Sequence, residues 1–525
     1  MRSKPIIHPL LFALAPALFL YSRNIQEVPA GQIVAPLAAL VVLAAVVWLV
    51  WGLILRNASL AAAAASLFLL LFFSYGHFYS LVKDLTIAGF RIGSHWFLFP
   101  WWMITYALGF LACFRARARP APWTAFFTIV GGVLVAVPLI SIGAKAMTLG
   151  RSEGTFGTPR PTALQPPGAE SGSCLPNIYY IILDAYARRD ILRELYGFDN
   201  SGFLDALTRR GFYIAERSRA NYDLSLISLA SSLNYQYLDE TGFRTNKIRY
   251  PQTLVRENRV AGSLRKLGYK FVAFASGYDK TEIRDADIYV ESGWSLDEFQ
   301  NELLNTTPLP PLVSFIGQGK YRGNVQYHLH RKRILSTLEQ IPKTARINGP
   351  LFVFAHIAAP HPPFVFGENG EPVQLTDYFL SGDAAGFLDR LGISREEYHR
   401  HYIRQLIFMN TKVMEMVDEL LKNSPCPPII ILQADHGPRS EYVFCGLPES
   451  NLGEGLSILN AYYLPGGGRR ALYPGITPVN SFRVVFNLYF GADLDLLPDK
   501  SYFTDWQNGY FIFRDVTSDL TPASP

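Results

Sequence analysis

An aspartate and a histidine stand side by side at Asp435-His436, where the apolar run Pro428-Ile429-Ile430-Ile431-Leu432-Gln433-Ala434 ends. Such a run reads as a buried strand, and α/β sheets place their sites just past the carboxyl ends of strands. A second carboxylate, Asp184, closes the run Ile178-Tyr179-Tyr180-Ile181-Ile182-Leu183 in the same way. Carboxylate oxygen and imidazole nitrogen are the ligands of divalent cations, so the pair suits one ion held from two distant parts of one sheet. Either carboxylate alone is also what a turn or a helix cap looks like. A third group, Ser225, heads the segment Ser225-Leu226-Ile227-Ser228-Leu229-Ala230-Ser231-Ser232-Leu233. Small and apolar residues after the polar Asn221-Tyr222-Asp223 predict a helix starting near Ser225. Serine there caps the helix or serves as a nucleophile. Free N–H groups at a helix start attract an anionic oxygen, and a nearby cation favours the alkoxide.

These groups need a frame. Strands are expected over 177–183, 270–274, 351–355 and 428–433, with a long helix over about 395–422. The helix repeats Ile403, Leu406, Ile407, Val413, Met414, Val417, Leu420 and Leu421 near every third or fourth position, so one face should pack on the sheet. Apolar strands separated by helices argue for a largely parallel sheet covered on both sides. His356 ends the third strand and His361 follows in Pro360-His361-Pro362-Pro363-Phe364. Five residues apart on a loop, they lack helical ligand spacing. His361 is the candidate to meet a substrate, and His356 is either a second such contact or a satisfied buried imidazole. Arg188 and Arg439, just past the two carboxylates, suit an anionic head group or ordinary salt bridges. His328, His330, His399 and His401 sit among Arg and Lys and read as solvated. The aromatic-rich last ~50 residues (Tyr489, Phe490, Tyr502, Phe503, Tyr510, Phe511, Phe513) read as a packed satellite.

The first half of the chain has another character. Five apolar stretches, about 6–22, 33–55, 59–82, 96–114 and 122–147, approach the ~20 residues needed to cross a bilayer. The first is interrupted by Pro9 and Pro16, and no small-x-small cleavage site follows it. Arg2, Lys4, Arg56, Arg115, Arg117 and Arg119 fall on one side, which places the amino terminus in the cytoplasm and everything after residue ~150 outside it. The expected division is membrane helices over 1–147, a Gly/Pro/Ser/Thr-rich tether over 148–175 and an α/β domain over 176–525. A tether of that length reaches roughly 30 Å. A net charge of +5 with no long basic block gives no call for nucleic acid. Of four cysteines, Cys113 lies in a span, Cys174 in the tether, and Cys426 and Cys445 flank the Asp435-His436 strand. Spacing leaves their pairing open.

Four blocks in one order carry a resemblance: Ile181-Ile182-Leu183-Asp184, Ser225-x-x-Ser228-x-Ala230-Ser231, Pro360-His361-Pro362-Pro363-Phe364 and Asp435-His436-Gly437. Over about 177–490 the chain resembles the alkaline phosphatase/sulfatase superfamily. The spans ahead of the domain bring it nearest to the lipoteichoic acid synthase, phosphoglycerol transferase and phosphoethanolamine transferase branches. In those branches an outward-facing sulfatase-like domain moves a head group from a phospholipid to a glycan or lipid acceptor. The resemblance implies that Asp184, Ser225, Asp435 and His436 bind one divalent ion, Mn²⁺ or Mg²⁺ by preference, with Zn²⁺ or Ca²⁺ compatible. It also implies that Ser225 is the nucleophile and that His361 contacts the phosphoryl group. Those branches usually carry Thr at the position of Ser225 and often Glu at that of Asp184; a hydroxyl and a carboxylate are kept. Ser225-Leu226-Ile227-Ser228-Leu229 lacks the x-Pro-x-Arg of formylglycine sulfatases, and no histidine follows His436 to complete a two-metal phosphatase. What remains is a one-metal phosphoryl transferase or phosphodiesterase, against two alternatives: a sulfatase-like hydrolase using water, and a non-catalytic membrane assembly protein.

Overall fold

The structure, a computed structural model, describes residues 5–25, 27–83, 85–87, 90–115, 120–152, 161–165, 175–238, 249–291, 296–316, 325–373, 388, 392–443, 447, 450–505 and 512–520. Arg2, Lys4, Arg117, Arg119, most of the tether, Cys174, Cys445, Tyr510 and Phe511 lie outside them. Cys426 is disulfide-bonded to a partner that also lies outside them. The chain forms two compact units, Met1–Thr155 with Leu296–Arg322, and Phe156–Ser295 with Gly323–Pro525.

The first unit holds five apolar helices: α1 (His8–Asn24), α2 (Val34–Leu55), α3 (Ala58–Val82), α4 (His95–Arg115) and α5 (Pro120–Ser152). Among the described residues four spans, Ala30–Leu55, Ala58–Val82, His95–Arg115 and Pro122–Met147, are long and apolar enough to cross a membrane. The 17 residues of α1, with Pro16 inside, reach about 26 Å at 1.5 Å per residue. That helix is the inner one: Phe12, Ala13, Ala17, Leu18 and Tyr21 are buried. The small side chains of Ala61 to Ala65 in α3, also buried, allow close helix approach. Leu53, Leu108 and Ile140 point outward and stay exposed, as lipid-facing residues do. Leu296–Arg322, within the stretch expected as one α/β domain, groups with these helices. It carries α7 (Glu298–Asn305) and α8 (Leu309–Ile316). Gly76 donates its N–H to Thr306 O at 2.9 Å, and a Cβ on Gly76 would meet Asn305 O at 2.0 Å. Only glycine permits that approach.

The second unit is built on a seven-stranded sheet. Its strands are β1 (Ile178–Leu183), β2 (Tyr213–Ile214), β3 (Lys270–Phe274), β4 (Ile288–Val290), β5 (Leu351–Ile357), β6 (Ile429–Gln433) and β7 (Asn460–Tyr463). They lie in the order β2-β7-β6-β1-β5-β3-β4. The five from β6 to β4 run parallel, while β7 and β2 add antiparallel pairs at one edge. Both faces are covered, which is why β1 is apolar throughout: Tyr179, Ile181 and Leu183 enter one core cluster, and Ile178, Tyr180 and Ile182 the other. The four strands expected from sequence are four neighbours in this sheet. On the first face pack α9 (Val325–Gln340) and α10 (Arg395–Asn423), the latter opened by a Ser394/Glu397 capping box. The second face carries α6 (Ser225–Ser232) and α11 (Pro478–Phe490).

Candidate metal and nucleophile site

Because β1 lies between β5 and β6, the register sets Ile182 beside His356 on one side and Gln433 on the other. Three adjacent carboxyl ends thus deliver Asp184, His356 and Asp435 to one place. His356 Nε2 stands 3.2 Å from Asp184 Oδ2 and 3.7 Å from Asp435 Oδ2. His436 Nε2 stands 3.3 Å from Asp184 Oδ1 and 3.7 Å from the same Asp435 Oδ2. Ser225 Oγ is 3.1 Å from His436 Nε2, and the His361 and His436 ring centres are 5.9 Å apart. Two ligand sets result, Asp184/His361/His436 and Asp184/His356/Asp435, each with its donor atoms within 4.8 Å of one another. They share Asp184 and read as one centre.

The donor set fits a divalent ion on three grounds. Two buried carboxylates this close repel each other unless positive charge lies between them. Asp184 Oδ1 and Asp435 Oδ2 are buried with no hydrogen-bond donor among the described residues. All three imidazoles are tethered at Nδ1: His436 donates to Gly437 O at 2.8 Å, His361 donates to Pro362 O, and His356 meets Thr281 Oγ1 at 3.0 Å. The Thr281 proton has two other acceptors at 3.2 Å, Tyr278 O and Ser276 Oγ, which leaves the hydroxyl oxygen available to accept from His356. With Nδ1 carrying the proton, a neutral ring offers its Nε2 lone pair to the centre, which is the tautomer a metal ligand needs. Exposure divides the roles. Asp184, His356, Asp435 and His436 are at most 5% exposed, while Ser225 and His361 are only half-buried.

Burial by itself would raise the Asp184 pKa, but the charges of His361, His356 and His436 hold its carboxyl well below the usual range. Burial pulls His356 and His436 down, yet Asp184 and Asp435 outweigh it and hold both above the ordinary imidazole value. At His361 burial wins over Asp184, and the ring titrates below that value. A metal needs the neutral imidazoles, so it must displace protons below the raised His356 and His436 values. Metal affinity is expected to be full above those values and to weaken as pH falls through them, by about tenfold per unit for each proton displaced. Chelator competition across pH 5.5 to 8.5 measures this, and a flat profile would contradict the ligand assignment.

The elements around the site explain its placement. The cap of α6 is Leu224, with no side-chain cap bond, so the Ser225 hydroxyl is not used as a cap and turns to His436. Asp223 accepts from Tyr442 Oη at 2.5 Å and from the Thr504 N–H at 3.1 Å. Tyr222 stacks on Tyr502 at 5.3 Å and meets Phe513 at 4.8 Å. The aromatic carboxyl-terminal segment, β8 (Tyr502–Thr504) and β9 (Phe513–Asp515), therefore backs the serine loop. From α10, Gln405 donates to Pro360 O and His361 O at 3.2 Å, and Tyr402 donates to Ala185 O at 2.8 Å. Sequence reasoning saw only the apolar stripe of that helix. The available signal was two polar residues inside the stripe.

Asp184, Ser225, His356, His361, Asp435 and His436 come together. Arg439 lies close by, 4% exposed, over the Tyr442 ring at 5.4 Å, and its charge bears on His361. Arg188 does not join them: it pairs with Asp190 at 2.6 Å and donates to Ser218 O at 2.9 Å. Three histidines expected in solvent also differ. His330 is 3% exposed on the sheet-facing side of α9, His399 meets Ser440 Oγ at 2.8 Å, and His401 stacks on Phe364.

No protein-family model matches the chain, and no curated protein matches it. Solved structures do. The C-terminal periplasmic domain of EcEptC from Escherichia coli in complex with Zn is 12% identical, with 69% of this chain and 98% of that one covered and a TM-score of 0.44. The lipooligosaccharide phosphoethanolamine transferase A (EptA) from Neisseria meningitidis, an integral membrane protein, is 11% identical over 92% of this chain and 95% of that one, at 0.39. The C-terminal periplasmic domain of the phosphoethanolamine transferase EptC from Campylobacter jejuni is 10% identical over 60% and 90%, at 0.37.

Proposed function

We propose that the protein is a membrane-anchored phosphoryl head-group transferase whose active unit faces away from the cytoplasm. Through Ser225 it moves a phospho-alcohol group from a phospholipid to a glycan or lipid acceptor. The observation that carries this reading is the Ser225 hydroxyl at the start of α6, 3.1 Å from His436 Nε2 and beside two buried carboxylates. The outward placement rests on counting α1 as a fifth crossing beside the four spans of α2 to α5, with the amino terminus inside. A divalent ion held by Asp184, Asp435 and His436 would supply positive charge to a phosphoryl oxygen and lower the Ser225 pKa. Mn²⁺ or Mg²⁺ suits the oxygen ligands, and Zn²⁺ suits His436.

Ser225 Oγ bonds to phosphorus as the bond from phosphorus to the diacylglycerol oxygen breaks. The serine proton passes to that departing oxygen by way of His361 Nε2, a nitrogen left free because Nδ1 is held by Pro362 O. Burial favours the neutral form of His361, the form able to accept a proton. The acceptor hydroxyl then attacks phosphorus, the phosphorus–Oγ bond breaks, and the proton returns to Ser225. Half-buried Ser225 and His361 face the substrate, while Gln405 and Asp223 position their loops.

Incubating the full chain with phosphatidylethanolamine or phosphatidylglycerol, without acceptor, is expected to release diacylglycerol and leave a head-group phosphate on the Ser225 peptide. Diacylglycerol release with that peptide unmodified under rapid quench would count against the covalent scheme. A hydrolase would make the same water product whether or not a glycan or glycolipid acceptor is added.

A further inference from the structure

Among the described residues two arginines are buried, Arg439 and Arg333. Arg333, on α9, is 7% exposed and its Nε has no hydrogen-bond partner. No carboxylate lies within ion-pair distance of it among the described residues, whereas its helix neighbour Arg331 donates to Val365 O and Gly370 O. The guanidinium rests on Gly277, where φ is +79° and an added Cβ would come within 1.9 Å of Nη1. That glycine belongs to the loop whose Thr281 holds His356. One turn before Arg333 stands His330, 3% exposed, which burial, together with the charges of Arg333 and His361, holds neutral. The middle of α9 thus brings a cation and a neutral imidazole to the wall of the site.

A buried guanidinium is costly to desolvate and normally has a counter-ion. Its planar fork matches the oxygens of a phosphate or sulfate. We propose that Arg333, with His330 at its side, seats a tetrahedral oxyanion, the phosphate or sulfate group of a substrate. That the oxyanion belongs to a substrate rests on the phosphoryl-transfer reading; the seat itself does not.

The test uses the full chain in nanodiscs, with inorganic sulfate as probe, and the variants Arg333→Met and Arg333→Lys. Sulfate is expected to raise the melting temperature of the wild type and of Ser225→Ala alike, so the seat is tested independently of the nucleophile. Without sulfate, Arg333→Met should melt at or above the wild-type temperature, because an uncompensated buried charge is gone. Its sulfate affinity should fall about tenfold or more, and Arg333→Lys should lie between the two. Should Arg333→Met fail to fold, Arg333→Lys still decides: unchanged sulfate affinity there overturns the proposal, as does an unchanged sulfate shift in Arg333→Met. Loss of sulfate binding with a raised KM for the phospholipid places the seat on the donor. The same loss with an unchanged KM places it on the acceptor.

Discussion

Ser225→Ala is expected to lower turnover by roughly 10⁴-fold or more while leaving the protein folded and the metal still held through Asp184, Asp435 and His436. The size of the effect follows from the role: without the hydroxyl no bond to phosphorus forms, and the remaining groups can only position water. The small structural cost follows from the geometry. Leu224, not Ser225, is the cap of α6, and the serine is half-buried, so its loss should cost less than ~0.5 kcal/mol. Ser225→Thr keeps a hydroxyl at the same position and is expected to retain part of the activity. Diacylglycerol release measures turnover, elemental analysis the metal, and thermal unfolding the fold. An alanine variant within tenfold of the wild type would end the nucleophile reading.

The second large effect belongs to Asp435→Asn. Asp435 is fully buried, its Oδ2 is 3.7 Å from both His356 and His436, and that oxygen has no donor of its own. Replacing it removes half of the buried carboxylate charge that a cation would neutralise. Metal affinity should fall by about 10²-fold or more, and activity with it. Stability should respond in opposite senses in the two states. The metal-free variant is expected to melt at or above the metal-free wild type, because the repulsion between Asp184 and Asp435 has gone. With metal in excess the wild type should gain about 2.7 kcal/mol at a hundred times its Kd, a gain the variant lacks. Unaltered metal stoichiometry in Asp435→Asn would remove Asp435 from the ligand set.

How much of this was legible beforehand depended on burial. The strands carrying Asp184, His356 and Asp435 are apolar on both faces because helices cover both, and a continuous apolar run is visible in one dimension. The helix after Ser394 announces itself by its periodicity and capping box. By contrast β2, β4 and β7 have two to four residues each, too few for any period to show. The Leu296–Arg322 segment is short and not apolar enough as a whole to stand out, yet it groups with the membrane helices.

Sequence alone determined which side chains end the central strands, that a serine opens a buried helix, and that the amino-terminal part is made of apolar helices. These are local properties: residue type, order and period. Tertiary structure decided who meets whom. Strand order put Asp184 between the strands that carry His356 and Asp435, the turn past β6 brought His436 to Ser225, and Arg188 went instead to Asp190. Helix rotation turned His330 and Arg333 inward although their neighbours are basic and polar. Register and rotation arise from the packing of whole faces, so no single stretch of chain encodes them.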